Sequence, residues 1–314
     1  MSCNNCKNVE KCQDYIDQRG KVEIAYNQTL QVAELDIVNY CNLSCYSCNR
    51  FMDVMPTKNR MTLEQIKNLV KESIDINWKW KELRIMGGEP TIHPEFEEIC
   101  HEVLKLKEHD PLVTLKIITN GSGKKVKERI KLIPDGYIVA NSETRYEETG
   151  VALTKEDSEY AVRPNARMIP SFGNMWQAPI DNLPIKKIVN FAGKINPTRP
   201  VDMFKEKTIY TCQVHETCGL GISHLGILPC GCGNAIGRVL GLDFFFQSLK
   251  EITVEACEEK LKLLCAFCGR NMNYTKNIEE DKSMSSFWQA AFEDYHTNGE
   301  KSLPIIYGDN NECK

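Results

Sequence analysis

The sequence predicts an α/β protein with a parallel sheet and a second, smaller cysteine-rich module. Two observations predict this architecture. Apolar segments of strand length alternate with segments of helical periodicity over roughly residues 30 to 145, and the composition changes beyond residue 205, where seven cysteines lie between Cys212 and Cys268. We therefore divide the 314 residues into a cysteine-bearing extension (1–29), an α/β domain (30–205), a cysteine-rich module (206–275) and a terminal helix and tail (276–314).

Composition excludes several classes of function. The net charge of -4, with charges of both signs interspersed, gives no basic surface for nucleic acid or for a membrane. No apolar run approaches the length of a membrane span, and no targeting leader follows Met1, so we expect a cytoplasmic protein. In that reducing compartment, 15 cysteines indicate metal ligands or redox centres rather than disulfides.

The first predicted strand is "LQVAELDIVNY", an apolar segment that leads directly into Cys41. The segment "TLEQIKNLVKESIDI" follows as a helix, because Thr62 and Gln65 form a capping box ahead of apolar residues at helical spacing. The cysteines that begin at Cys41 are therefore expected on a loop at the carboxyl end of a strand.

The next segments repeat this pattern. "KELRIMGGEP" predicts a strand stopped by two glycines, "HPEFEEICHEVLKLK" a helix with Pro94 in its first turn, and "VTLKIITNGSG" a strand ending at Asn-Gly. A Lys-rich helix and a strand "GYIVANS" follow. Because chemistry gathers at the carboxyl ends of parallel strands, we expect Cys41, Gly87, Asn120 and Ser142 on one edge of the sheet.

An irregular segment follows, from about residue 145 to 185. It contains Arg163, Arg167 and Trp176, which are candidate substrate contacts, although surface or packing roles are the simpler interpretation of each. "IKKIVNFA" is a candidate for one more strand.

Three closely spaced thiols, Cys41, Cys45 and Cys48, are the strongest candidate site. Three thiolates on one loop can hold three corners of a 4Fe-4S cluster and leave the fourth iron open. They also suit a zinc site whose fourth ligand is distant in sequence, whereas a redox dithiol needs only two cysteines. The spacing alone leaves the open cluster and the zinc site as alternatives.

The Cys-x-x-x-Cys-x-x-Cys spacing and "GGEP" at residues 87–90, in this order on successive strand ends, resemble the radical S-adenosylmethionine (radical SAM) superfamily. The resemblance implies a partial (β/α)6 TIM-type barrel, in which Cys41, Cys45 and Cys48 hold a 4Fe-4S cluster and S-adenosylmethionine chelates its open iron. It also implies a set of cofactor contacts: Gly87, Gly88, Glu89 and Pro90 around the amine, Asn120 and Ser142 at the carboxylate or ribose, and Tyr46 near the adenine. The aromatic residue usual just before the third cysteine is replaced by Ser47, with Tyr46 one place earlier.

The C-terminal cysteines suit a second, closed metal site. Cys212, Cys230, Cys265 and Cys268 supply four thiolates in two halves, which by geometry fit zinc or an iron-sulfur cluster. The resemblance implies an auxiliary 4Fe-4S cluster in a twitch or SPASM-like module, with a spacing similar to that of 2-deoxy-scyllo-inosamine dehydrogenases. Further cysteines leave this ligand set, and a third cluster near the N-terminus, open: Cys3, Cys6, Cys12, Cys218, Cys232 and Cys257.

The resemblance predicts an oxidoreductase that acts on a small-molecule alcohol of the carbohydrate, cyclitol or aminoglycoside class, with an auxiliary cluster as electron acceptor. A flavodoxin or ferredoxin is the expected external reductant. The alternatives are an epimerase with Cys218 as hydrogen donor, a peptide-modifying maturase, and a non-catalytic zinc or iron-sulfur protein. Nucleic acid and membranes are not expected partners.

Overall fold

The computed structural model describes residues 30–43, 48, 50–52, 57–141, 169–170, 218–268 and 286–299. Its described strands form one sheet of seven in the order β5-β4-β3-β2-β1-β6-β7. Their bounds are β1 Val32–Val38, β2 Glu82–Gly87, β3 Thr114–Ile118, β4 Tyr137–Asn141, β5 Ile169–Pro170, β6 Leu220–Ser223 and β7 Gly226–Leu228. Every neighbouring pair is parallel except β6 and β7, so six strands run in one direction. The structure confirms the α/β class and a sheet consistent with a partial TIM-type barrel.

The described helices are α1 Leu63–Asp75, α2 Phe96–His109, α3 Lys124–Ile130, α4 Gly233–Leu240, α5 Val254–Phe267 and α6 Ser286–Asn298. Short 3-10 turns cover Pro90–Ile92 and Leu249–Glu251. The predicted capping box is confirmed, because Thr62 and Gln65 bond reciprocally at the start of α1.

Helix α2 begins slightly later than predicted. Pro94 lies before the helix rather than in its first turn. The reason is the turn ahead of it, in which the Glu95 backbone N–H donates to His93 Nδ1 at 3.0 Å.

Strand β1 lies in the interior of the sheet, between β2 and β6, and all seven of its residues are buried. Leu35 and Ile37 belong to the main apolar core, which α1 and α2 share with β2 and β3. Alternate positions carry Glu34 and Asp36, which are also buried. One face of β1 is therefore apolar and the other is polar.

The sixth parallel strand comes from the C-terminal cysteine-rich part of the chain. Strand β6 pairs with β1, with Leu220 opposite Ala33 and Ile222 opposite Leu35. The segment predicted as a separate module thus extends the sheet directly. The strand predicted from "IKKIVNFA" lies outside the described residues, and the predicted domain boundaries stay predictions.

Helix α4 brings the C-terminal part onto the polar face of β1. All eight residues of α4 are buried. Asn234 Nδ2 donates to Asp36 Oδ2 at 3.3 Å, and Arg238 donates to the Arg50 carbonyl oxygen at 3.1 Å and to the Tyr295 hydroxyl at 2.9 Å. These bonds join β1, the loop that follows it, α4 and α6.

Several predicted features fall outside the described part of the chain, so the structure gives no information on them. They are Cys3, Cys6, Cys12, Arg163, Arg167 and Trp176. Among the helices that are described, none combines the length and the apolar character needed to cross a membrane.

Candidate cofactor site

The carboxyl ends of β1, β2 and β3 meet at one edge of the sheet, as the sequence predicts. The Gly88 N–H donates to the Val38 carbonyl oxygen at 2.9 Å, and the Glu89 N–H donates to that of Tyr40 at 3.1 Å. The Asn120 N–H in turn donates to Glu89 Oε2 at 2.7 Å. The loop that begins at Cys41, the "GGEP" segment and the end of β3 are therefore held together by direct bonds.

The two glycines are needed for close packing of backbone on backbone. A Cβ atom on Gly88 would lie 1.9 Å from the Tyr40 carbonyl oxygen, and one on Gly87 would lie 2.4 Å from that of Val38. Gly87 also has a φ of +133°, which L side chains rarely adopt. Glycine at both positions lets β2 end directly against β1.

Glu89 joins the ends of β2 and β3 through its carboxylate, which is fully buried. Oε1 accepts from the Thr91 N–H at 3.1 Å, the Thr91 hydroxyl at 2.6 Å and the Thr119 hydroxyl at 2.8 Å. Burial raises the pKa of Glu89 despite these donors. The Glu89 side chain therefore holds the ends of β2 and β3 together. The cofactor contact predicted at residues 87–90 is a contact with backbone atoms.

The sulfur of Cys41 accepts hydrogen bonds from two directions. The Leu43 N–H donates to it at 3.4 Å, and Asn120 Nδ2 donates to it at 3.5 Å. Burial and the nearby Glu89 carboxylate raise the pKa of the Cys41 thiol to about 12, and the proximity of Cys48 acts in the same direction.

The described residues fit an iron-sulfur cluster at this edge. Hydrogen bonds to thiolate sulfur are one of the means by which proteins stabilise such clusters. Cys45, Tyr46 and Ser142 lie outside the described residues, as does Cys212 of the second set. Within the described residues, no group of three or more His, Cys, Asp or Glu side chains converges as a metal site. The ligand assignments at both sites therefore stay predictions.

A second group of thiols lies beside Glu34 of β1. Cys218 and Cys232 are buried against each other, and Cys230 packs on both. Cys218 hydrogen-bonds to Glu34, and Arg50 Nη1 donates to Cys232 Sγ at 3.7 Å. Arg50 follows Cys48 by two residues, so it links the first cysteine loop to the second thiol group.

Cys265 and Cys268 lie at the carboxyl end of α5, where the Cys268 N–H donates to the Cys265 carbonyl oxygen at 3.2 Å. Gly233 shows how close this end comes to the second thiol group. The position of a Cβ on Gly233 is 3.0 Å from a methyl carbon of Leu264 and 3.6 Å from Cys230 Cβ. The end of α5 and Cys230 therefore lie on either side of the same glycine.

Cys218 lies at the amino edge of the sheet, away from Cys41. It precedes Leu220, which pairs with Ala33 at the start of β1, whereas Gly87 pairs with Val38 at the end. At about 3.3 Å per residue, the five steps between Ala33 and Val38 span roughly 16 Å. Burial and the Glu34 carboxylate raise the pKa of the Cys218 thiol well above its ordinary value.

Buried charges surround the second thiol group. Arg50 is paired with both Glu34 and Asp36, with 3.0 Å between Arg50 Nε and Asp36 Oδ1, and Arg84 Nη1 lies 3.4 Å from Glu34 Oε1. Burial opposes ionisation of Glu34, yet the guanidinium groups of Arg50 and Arg84 lower its pKa. Burial raises the pKa of Asp36, and Glu34 adds to that effect. Sequence reasoning missed this network, although Glu34 and Asp36 alternate within an otherwise apolar strand.

Comparison with known protein families identifies the kind of domain that this chain contains. Residues 35–141 match the sequence profile of the radical SAM superfamily, so the chain carries a radical SAM domain. A radical SAM domain over these residues implies a 4Fe-4S cluster and S-adenosylmethionine.

Particular relatives are similar over about a third of the chain. The GTP 3',8-cyclase of Aquifex aeolicus is 27% identical over 35% of this chain and 33% of its own length. Molybdenum cofactor biosynthesis protein 1 of Homo sapiens is 33% identical over 28% of this chain and 13% of its own length. The chain thus spans about a third, or less, of these curated relatives.

Solved structures are similar at low identity. BtrN in complex with AdoMet and 2-DOIA has a TM-score of 0.40 and 15% identity, covering 76% of this chain and 85% of that one. SuiB of Streptococcus suis bound to precursor peptide SuiA has a TM-score of 0.32 and 15% identity, covering 53% of this chain and 37% of that one.

Proposed function

We propose that this protein is a radical SAM oxidoreductase that oxidises an alcohol on a carbohydrate, cyclitol or aminoglycoside and uses an auxiliary 4Fe-4S cluster as electron acceptor. The observation that carries the proposal is the second group of thiols beside Glu34 of β1, which Arg50 connects to the first cysteine loop. A second group of cysteines is what an auxiliary cluster would need for its ligands.

Within this proposal, the cluster and S-adenosylmethionine supply a 5'-deoxyadenosyl radical that takes a hydrogen atom from substrate carbon. Cys41, Cys45 and Cys48 hold the cluster, while Asn120 and the Leu43 N–H stabilise the Cys41 thiolate. Gly88 and Glu89 keep the ends of β1, β2 and β3 in register around it.

Oxidation of the alcohol to a ketone balances as follows. The carbon would lose a hydrogen atom, the hydroxyl would lose a proton to solvent, and the auxiliary cluster would accept the remaining electron. Cys212, Cys230, Cys265 and Cys268 are the proposed ligands of that cluster, and the packing of Cys218 and Cys232 against Cys230 makes them the alternative ligands. An external one-electron reductant, a flavodoxin or ferredoxin, starts each turnover.

An epimerase is the second choice because of where Cys218 lies. A hydrogen donor has to reach the substrate carbon beside the radical, and Cys218 lies at the amino edge of the sheet, bonded to Glu34. Maturation of a peptide substrate has no supporting contact within the described residues.

A GTP cyclase is a further candidate, since curated relatives carry that name. The two relatives reported above match 35% of this chain or less, which is too little to carry over the activity of the whole protein. We therefore include GTP in the test but not in the proposal.

The test is anaerobic incubation in heavy water with S-adenosylmethionine, dithionite and candidate alcohols, followed by mass spectrometry. Oxidation gives a product that lacks two hydrogen atoms and carries no carbon-bound deuterium. An isomer with one deuterium, lost on Cys218→Ala, would instead establish the epimerase. Conversion of GTP with no oxidation of any alcohol would support the cyclase.

A further inference from the structure

A small polar pocket lies between β1, β6 and α4, outside the predicted contacts for the cluster and for S-adenosylmethionine. Asp36, Asn39, His224 and Asn234 line it, together with Arg50 and Arg238. His224 is half-buried and the other five are buried, so the pocket opens at His224. His224 directly follows the carboxyl end of β6, and Asn39 follows that of β1. The pocket therefore opens at the same edge of the sheet as Cys41.

Asn234 has an acceptor in this pocket that no group in the described part of the chain satisfies. Its Nδ2 donates to Asp36 Oδ2 at 3.3 Å, which fixes the orientation of the amide because the carboxylate accepts. Its Oδ1 is buried and has no hydrogen-bond partner among the described residues, and Asn234 is only 4% exposed. A buried polar atom without a partner is costly, and in native proteins it commonly marks a place where a ligand or water binds.

The remaining groups restrict what can bind there. The orphan atom is an acceptor, so the ligand has to donate a hydrogen, which a phosphate or carboxylate oxygen without a proton does not do. Asn39 Nδ2 lies 3.2 Å from His224 Nδ1, and since an amide nitrogen only donates, the ring hydrogen of His224 is on Nε2. The pocket thus presents an acceptor, which a hydroxyl group can satisfy by donating its hydrogen.

We propose that this pocket is a substrate subsite that receives a hydroxyl group, with Asn234 Oδ1 accepting its hydrogen. Its interior has room for a group about the size of one water molecule, which is far less than a site for a whole ligand requires. The pocket therefore holds one polar group of a polyhydroxylated molecule whose remainder lies at the open edge. The choice of an alcohol substrate rests on the proposed function, while the presence of the subsite does not require turnover.

The test measures binding of myo-inositol and of D-glucosamine to the reconstituted holoenzyme, with S-adenosylmethionine present and without reductant, by calorimetry. Asn234→Leu removes the acceptor while it keeps the number and branching of the side-chain non-hydrogen atoms, and it is expected to weaken binding by at least about tenfold. The matched control Asn298→Leu makes the same change at an exposed helix end and should bind like the wild type. If Asn234→Leu does not fold, Asn234→Ala removes the same oxygen without filling the space.

Binding of neither probe at about 10 mM, or equal affinity of wild type and Asn234 variants, would overturn the subsite. The outcome is separable from that of the proposed function. Binding that depends on Asn234, with no ketone formed once reductant is added, retains the subsite and removes the oxidoreductase. Ketone formation with an unchanged KM in the Asn234 variants retains the oxidoreductase and removes the subsite.

Discussion

At the scale of single residues, Cys41 depends on side chains that are distant from it in sequence. Asn120 donates to its sulfur, and Asn42 Nδ2 donates to the Ser122 carbonyl oxygen at 2.8 Å, so the loop after β3 closes over the cysteine loop. Glu89 holds the Asn120 backbone in place from the third side. The reactivity of this thiol is therefore set by three strand ends together.

His93 is expected to make stability depend on pH. Burial lowers its pKa, and Arg60 and Arg129 act in the same direction. A lowered pKa means that the folded protein resists protonation, so stability is present above the ordinary value near 6.5 and is lost as the pH falls below it. The free energy of unfolding should therefore decrease from pH 7.5 to 5.5, and His93→Gln should reduce that decrease by about 1 kcal/mol. Urea unfolding of both proteins at each pH measures this, and parallel pH profiles would refute it.

The sequence predicts the residues of the site better than it predicts what surrounds them. Cys41, Gly87 and Asn120 could be placed on one edge because each follows a strand that is evident from its apolar residues. Glu34, Asp36 and Arg50 could not be assigned, since a charged residue within a strand is usually solvent-exposed. These side chains are buried because they pair with one another and because α4 covers them. Asn234 of α4 is 198 residues from Asp36 in the sequence.

At the scale of elements, the contact between β1 and β2 requires a glycine. Gly88→Ala would place Cβ 1.9 Å from the Tyr40 carbonyl oxygen, a backbone atom that cannot move without displacing the cysteine loop. We expect a loss of about 3 kcal/mol in the free energy of unfolding, and weaker binding of S-adenosylmethionine.

The control is Gly299→Ala, where a Cβ meets nothing within 4 Å and only the φ of +72° opposes it. That change should cost about 1 kcal/mol. Denaturant unfolding compares the two variants, and equal losses would show that close packing at Gly88 is not the determining factor.

Arg50 connects elements in a similar way. Its side chain is 2% exposed and paired with Glu34 and Asp36, so Arg50→Gln leaves buried carboxylates without their cation. The expected loss is about 3 to 5 kcal/mol. Lys71→Gln, which removes an exposed i,i+4 pair with Asp75, should cost less than about 0.5 kcal/mol. Chemical unfolding of the two variants tests this difference, and a loss at Arg50 as small as that at Lys71 would contradict it.

Elements with a regular pattern were predictable, and those defined by distant pairing were not. Helix α1 and strands β1 to β4 follow from periodicity and capping signals that lie within each segment. Strands β6 and β7 are four and three residues long and include glycines, so their sequence suggests turns. They become strands because β6 adds to the edge of β1, a partner that local sequence does not specify.

At the scale of the whole molecule, the account predicts two iron-sulfur clusters. Anaerobically reconstituted protein should contain roughly eight irons, as expected for two 4Fe-4S clusters. Replacing Cys265 and Cys268 together with Ala should remove about half of the iron and leave cleavage of S-adenosylmethionine in place. Iron analysis with electron paramagnetic resonance measures this. Stoichiometric zinc would contradict it, and about twelve irons would indicate that the N-terminal cysteines also bind a cluster.

The central claim is that the chain starts radical chemistry at the loop that carries Cys41, Cys45 and Cys48. The most direct measurement is formation of 5'-deoxyadenosine from S-adenosylmethionine under anaerobic reducing conditions, by the wild type and by the variant with all three cysteines replaced by Ala. The account predicts steady formation by the wild type and none by the triple variant, with Cys100→Ala, a buried core thiol, as the matched control that retains activity. Formation at the wild-type rate by the triple variant would contradict it.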